Sequence, residues 1–159
     1  MQNSFYSKDE LALIGFKSVG DNVMISRFAR LYGTENMEIG NNVRIDDFSI
    51  LSGNIKIGNY IHISAYSALY GKLGIEIADY SGLSPRCTLF SASDDFSGNY
   101  LIGPMMKPEH TNVYGGKVFI GKYCQIGSGC VVFPGVNIKE GVAVGAMSLI
   151  LNDLECWKI

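Results

Sequence analysis

Histidine is almost missing from this chain, with His62 and His110 the only two among 159 residues. A catalytic zinc site takes about three protein ligands, and no Cys/His spacing motif makes up the shortfall, so no metal is expected. Charge of one sign is never concentrated: 13 Lys and Arg face 15 Asp and Glu, for a net charge of −2. That balance argues against nucleic acid as a partner, although an anionic cofactor held by a few local groups stays compatible with it. No signal-like apolar run follows a basic N-terminus, and no later segment is long enough to span a bilayer. No membrane span and a cytoplasmic location are therefore expected.

What is present is a period of six. Val19, Ile25, Leu31, Ile39, Ile45, Leu51, Ile57, Ile63, Leu69, Ile77, Leu83 and Leu89 open the series, and Ile120, Ile126, Val132, Ile138, Val144 and Ile150 close it. Glycine often follows directly, as at Gly20, Gly40, Gly58, Gly121, Gly127 and Gly145. A fixed short period marks a repeat architecture, here an all-β, parallel β-helix. Three hexads make one triangular coil of three short strands, stacked on the next at roughly 4.8 Å. The aliphatic points inward and its two neighbours outward. An α-helix is excluded, because a spacing of six does not hold one face at 3.6 residues per turn. Where the spacing stretches to eight, Gly33 and Gly71 supply looser corners.

The whole chain, 1–159, reads as one domain. It divides into an N-terminal cap over 1–18, lower coils over 19–93, an extruded loop over 94–118, upper coils over 119–154 and a short tail over 155–159. Ser7-Lys8-Asp9-Glu10 forms a capping box, which predicts a short helix over 10–14 ending at Gly15 and covering the bottom of the stack. Cys87, Cys124 and Cys130 each fall four residues after a repeat aliphatic, where other coils carry Ser49, Ser67, Ser81 or Ser148. They are expected to be small buried fillers rather than redox or metal groups.

The outward residues separate three faces. The first, with Ser18, Glu38, Lys56, Glu76 and Lys139, is a solvated face. The third presents Tyr32, Tyr70, Phe90 and Phe133 with Leu149 and Leu151, an apolar patch of the kind that marks a subunit contact. The second is polar and small: Arg44 and Asp46, then His62 and Ser64, then Gly82 and Ser84, then Gln125 and Gly127. A histidine with a carboxylate and a hydroxyl nearby can serve as general base for an alcohol or amine, and it can equally be a surface residue of a polar ladder. Between Leu89 and Ile120 the repeat is lost, from Asp94 to Gly116, and a loop that long inside a compact domain is usually functional.

The tract from Ile120-Gly121 to Val144-Gly145-Ala146, with Phe133-Pro134-Gly135-Val136 inside it, resembles the hexapeptide-repeat acyltransferase family, galactoside and maltose O-acetyltransferases in particular. The likeness covers about 19–154. It implies left-handed coils, a homotrimer, a loop that reaches the adjacent subunit, and acetyl-CoA as co-substrate. Matching Ala78-Asp79, Ser84-Pro85 and Thr88-Leu89 to those relatives puts Asp94-Asp95 where they carry a catalytic His-Pro. Their active-site asparagine falls on Ser64, and an aromatic substrate contact falls on His62. The base is then His62 supported by Asp94 or Asp95, or His110 brought in by the loop, or Asp94 itself. Asp46, Ser84, Arg86 and Asp95 are the candidates for binding the acceptor. Gly127, Gly145 and Ala146, with Asn152 and Trp157, are the candidates for the coenzyme.

The resemblance implies acetyl transfer to a sugar hydroxyl, with His62 taking the proton and a backbone amide or Ser64 holding the oxyanion. N-acetylation of an amino group on a nucleotide-linked sugar is the alternative. A carbonic anhydrase on the same scaffold needs three histidines per site and does not fit two. A non-catalytic trimer is the remaining reading, because the family histidine is missing and relatives continue past Trp157 through a basic segment that holds the coenzyme's adenine and phosphates.

Overall fold

Every aliphatic of the period stacks on its counterpart one coil away. In the computed structural model, which describes residues 4–159, the first wall runs Val19, Ile39, Ile57, Ile77, Ile120, Ile138 in parallel register. The second wall runs Ile25, Ile45, Ile63, Leu83, Ile126, Val144. The third runs Leu31, Leu51, Leu69, Leu89, Val132, Ile150. The result is a parallel β-helix of about 7 turns.

The period-2 rule fills the rest of the core. Met37, Ile55, Ile75, Val118 and Val136 lie two residues before the first-wall aliphatics and are buried with them. Ile45, Ile63, Leu69, Leu89 and Ile126 are fully shielded from water, whereas Val19, Leu31 and Val144 near the two ends are only partly so. Each fully buried Ile or Leu contributes about 1.5–3 kcal/mol of transfer free energy, so the middle coils hold the stack and its ends are softer.

The corners use a backbone conformation that the sequence does not advertise. Asn22, Asn42, Tyr60, Tyr80 and Tyr123, at the corner between first and second walls, have φ between 54° and 61°. Asparagine tolerates this region, but for tyrosine it costs about 1–2 kcal/mol. Stacking offsets that cost: the Tyr60, Tyr80 and Tyr123 rings lie 5.0 and 5.3 Å apart and within 12° and 8° of parallel. Beside them, Asn41, Asn59 and Asp79 each offer Oδ1 to the backbone N–H of the residue one coil below, at 2.8–2.9 Å.

Three boundaries differ from the sequence expectation. The helix spans Lys8–Leu13 rather than 10–14, because the Ser7 cap starts the first turn at the next residue. It does cover the bottom of the stack: Leu11 is buried, and Arg27 grips Glu10 with two bonds of 2.7 and 2.6 Å. The extruded segment is not loop from its first residue. Ala92–Asp94 pairs antiparallel with Val113–Gly115, so the excursion is a hairpin rooted one strand earlier than expected. Buried Ser91 fastens that root, its Oγ accepting from the Leu73 amide at 2.8 Å and donating to the Tyr70 carbonyl at 3.0 Å. Finally, 155–159 is no free tail. Leu154 bridges to Ile138, Trp157 donates its amide to the Glu140 carbonyl, and the Ala143 amide bonds to the Lys158 carbonyl, which carries the coil on past Ile150.

Coil spacing leaves no room for a side chain at Gly40, where a Cβ would collide with the Gly58 carbonyl of the next coil. At Gly145 a Cβ would meet nothing within 4 Å. Gly40→Ala should therefore lower thermal stability by about 1–3 kcal/mol, and Gly145→Ala should leave it nearly unchanged. Melting curves of the two variants against the parent check this contrast.

Candidate active site

The second wall presents an ordered polar ladder. Met24, Arg44, His62, Gly82, Gln125 and Ala143 occupy successive rungs of one outward column. His62 Nε2 and the Asp46 carboxylate lie 2.7 Å apart, and Arg44 Nε donates to the other Asp46 oxygen at 2.7 Å. Burial pushes the Asp46 carboxyl up, but hydrogen bonds from Arg44 and His62 outweigh it and leave the group below its ordinary value. His62 is thus held by Asp46, not by Asp94 or Asp95, while half of its side chain stays open to solvent.

The next rung has no side chain. Gln125 folds over Gly82, and its Nε2 donates to Ser84 Oγ at 3.1 Å. Sequence reasoning sees Gln125 only as one polar residue of this face; its offset of one rung from Gly82 is the signal that it can reach Ser84. With its oxygen engaged as acceptor, the Ser84 hydroxyl proton is free to donate. Ser64 fares differently. It is buried at the corner, and its carbonyl accepts from Ser49 Oγ at 3.3 Å, so it does not stand open beside His62 as expected. Arg86 sits at the same corner one coil higher, exposed, with φ of 65°.

Asp94, Asp95 and His110 belong to the hairpin instead. Asp94 is shared by two cavities, one on each side of the stem. The lower, about 500 Å³, is lined by Tyr70, Lys72, Ser93, Pro104 and Met106 among others. The upper, about 490 Å³, is lined by Phe90, Phe96, Tyr114, Phe133 and Pro134 with Ser93. Neither is lined by His62 or Ser84. Asp95 is spent on the loop itself, accepting from the Ser97 amide and the Asn112 amide nitrogen at 2.8 Å each. Those bonds, Ser97 foremost, hold its carboxyl below the ordinary value. His110 is exposed in the single turn Pro108–His110, where its carbonyl accepts from Leu101. One chain therefore brings Asp46, His62 and Arg44 together, and Ser84 with Gln125, but joins neither group to Asp94.

The five residues expected at the coenzyme spread over three corners. Gly127, Gly145 and Ala146 lie on the second, Asn152 on the third, and Trp157 on the first, where it packs over Gly141. Gly127 is required by the stack, since a Cβ there would stand 2.6 Å from the Ala146 nitrogen and the Val144 carbonyl. Gly145 has no such packing reason, and with Asn152, Ser148 and Lys158 it lines a cavity of about 390 Å³ at the upper end. On the third wall Tyr32 is exposed, and the Tyr70 and Phe90 rings stack at 5.3 Å.

No protein-family profile matches the chain. It is 47% identical over 156 residues to a dTDP-4-amino-4,6-dideoxy-D-glucose acyltransferase of Escherichia coli, spanning 95% of this chain and 81% of that protein. AntD, an N-acyltransferase from Bacillus cereus solved with dTDP and 3-hydroxybutyryl-CoA, is 53% identical with a TM-score of 0.95, over 98% of this chain and 84% of its own. AntD was also solved as variants at its Ser84 and Asp94, the S84C form with dTDP-4-amino-4,6-dideoxyglucose and coenzyme A. A maltose O-acetyltransferase from Clostridium difficile, 19% identical with a TM-score of 0.55 over 98% of this chain and 70% of its own, shares the fold alone. The chain belongs to the hexapeptide-repeat family of left-handed β-helix sugar acyltransferases. Its identity to the Escherichia coli acyltransferase and to AntD, 47% and 53%, exceeds its 19% identity to the maltose enzyme.

Among the described residues no group of three or more His, Cys, Asp or Glu is placed to hold a metal ion, and no helix is long and apolar enough to cross a membrane. Cys87, Cys124 and Cys130 are buried and Cys156 is exposed. Burial pushes the Cys87 thiol up to about 11 and raises Cys124 as well. Since the thiolate is the reactive form, an aromatic disulfide reagent should titrate one thiol quickly in the native protein and all four after denaturation. Rapid native labelling of two or more would contradict the packed-filler assignment.

Proposed function

We propose that the protein is a CoA-dependent N-acyltransferase acting on the amino group of a dTDP-linked 4-amino-4,6-dideoxy sugar, as a homotrimer. The observation that carries this is identity of about half over nearly the whole chain to an acyltransferase named for a dTDP-linked amino sugar and to an N-acyltransferase solved with dTDP and an acyl-CoA. Acetyl and 3-hydroxybutyryl groups are both candidate donors. The expectation of a hydroxyl acceptor gives way to the amine.

An amine changes what the catalytic groups must do. A sugar hydroxyl needs a base tuned near neutrality, a requirement that favours His62. An amine is nucleophilic as its free base and titrates at roughly 8, like an α-amino group. A carboxylate can then bind its ammonium form and collect the proton released as it reacts. Asp94 suits that role, and the Ser84 hydroxyl suits a bond to the thioester oxygen. The amine nitrogen attacks the thioester carbonyl carbon, a tetrahedral oxyanion forms, and the C–S bond breaks. The nitrogen's proton passes through Asp94 to the departing thiolate, giving an amide and free coenzyme A.

Because Ser84 and Asp94 lie on different parts of one chain, the reading requires a neighbouring copy to complete each site. The aromatic face with Tyr32, Tyr70, Phe90 and Phe133 supports such packing. On this reading Gly145, Gly127, Ala146 and Asn152 admit the coenzyme at the upper coils, while Arg86, Asp46 and His62 line the acceptor approach. His62, pinned by Asp46, positions rather than abstracts, and His110 and Asp95 serve the loop.

Thiol release should occur with dTDP-4-amino-4,6-dideoxyglucose and either acyl-CoA, and not with dTDP-glucose. Asp94→Ala should reduce kcat/KM about 10²-fold or more, and His62→Ala by less than tenfold. Turnover of the hydroxyl sugar, with His62→Ala the more damaging change, would restore the O-acetylation reading.

A further inference from the structure

The hairpin stem separates two cavities of nearly equal volume that share Asp94 and differ in charge. The upper is walled by Phe90, Phe96, Tyr114 and Phe133 and holds no cation. The lower contains Lys72, which has no ion-pair partner among the described residues, although most of the chain's other basic side chains are paired. Lys72 and Asp94 line one cavity without forming a salt bridge to each other. Opposite charges left apart across a cavity suit a ligand that is itself charged oppositely at two ends.

An amino-sugar nucleotide is such a ligand. Its ammonium at C4 and its diphosphate at C1 lie on opposite sides of one pyranose ring. The geometry points to the lower cavity as the acceptor's seat, with the amine at Asp94 and the diphosphate at Lys72; this rests on the proposed function. The acyl-CoA then approaches from the other side of the stem, where the walls are apolar and the upper-end cavity with Gly145 follows along the coils. Asp94 is the one carboxylate that both sides reach, which is where the two substrates have to meet.

The spacing of Lys72 and Asp94 is built in rather than left to the loop. Lys72 lies in the strand Ala68–Ile77, and the next residue, Leu73, donates its amide to Ser91 Oγ at the hairpin root. The Ser91 amide in turn bonds to the Tyr70 carbonyl at 3.0 Å. Asp94 follows on the stem strand Ala92–Asp94, paired across to Val113. Both charged groups therefore extend from one hydrogen-bonded frame, as two-point recognition demands.

Phosphate is also carried by coenzyme A, so the test measures the two ligands separately. Binding of dTDP and of coenzyme A to the wild type, Lys72→Ala and Lys72→Arg is followed by calorimetry, with melting curves to confirm folding. A charge-assisted bond of this kind corresponds to a loss of about ten- to a hundredfold in affinity. Lys72→Ala should weaken dTDP binding by that factor and leave coenzyme A binding within twofold, and Lys72→Arg should recover most of the loss. In turnover, the KM for the amino-sugar nucleotide should rise while kcat and the KM for acyl-CoA hold. Weakened coenzyme A binding with dTDP unchanged would assign Lys72 to the donor and overturn the inference. Unchanged binding of both would remove Lys72 from either site. A wild type that binds coenzyme A but not dTDP would instead overturn the proposed function itself.

Discussion

The parallel hydrogen-bond ladder along each wall holds successive coils at one strand spacing and one register, and everything else follows from that. It buries Ile45 on Ile63 and Leu51 on Leu69 without offset. It also obliges every outward residue to face the same direction as its counterparts above and below. A polar column such as Arg44, His62, Gly82 and Gln125 is therefore a row of fixed stations. The side chain missing at Gly82 becomes a slot that Gln125 can enter to reach Ser84. Functional groups on this scaffold are positioned by backbone pairing and need little further support.

The hairpin is the counterpart of that rigidity. It leaves the third wall after Phe90, is bonded down by Ser91, and carries Asp94 away from the polar wall that holds His62 and Ser84. On the proposed reading a single chain holds two halves of a site, and the exposed Tyr32 and the stacked Tyr70 and Phe90 of the third wall support packing against a second copy. On that reading, requiring assembly for chemistry has a physical merit: the acyl thioester would meet its nucleophile in a cleft that excludes bulk water.

The walls were legible because the period of six has one geometric solution, and inward positions need only be aliphatic. The capping box at Ser7 was equally readable, since its bonds are local. The hairpin stem was not, because Ala92–Asp94 and Val113–Gly115 show no strong alternation and meet across a long gap. Nor were the left-handed tyrosines, which carry none of the glycine signal that normally marks such a turn. Their recurrence three residues after Ile57, Ile77 and Ile120 could have revealed a ladder, though not its conformation. The identity of the base is a separate matter. His62 was attractive because histidine is rare, but its role depends on whether an alcohol or an amine arrives, and no spacing encodes that. Lys72 escaped notice because a lone lysine between Gly71 and Gly74 looks like ordinary surface until the cavity around it is seen.

The three corners of the coil differ in how much length they tolerate. From first wall to second, and from second to third, the aliphatic spacing stays at six throughout, and the aromatic stack on the first corner leaves no slack for an extra residue. The third corner varies: the spacing is six from Leu51 to Ile57 and from Val132 to Ile138, eight from Leu31 to Ile39 and from Leu69 to Ile77, and 31 from Leu89 to Ile120. One corner is thus an open port for insertion, and it is the corner next to Asp94. Loops at that corner can lengthen or shorten without disturbing the parallel pairing of the coils above and below, so the surroundings of Asp94 are the part of the fold most easily reshaped.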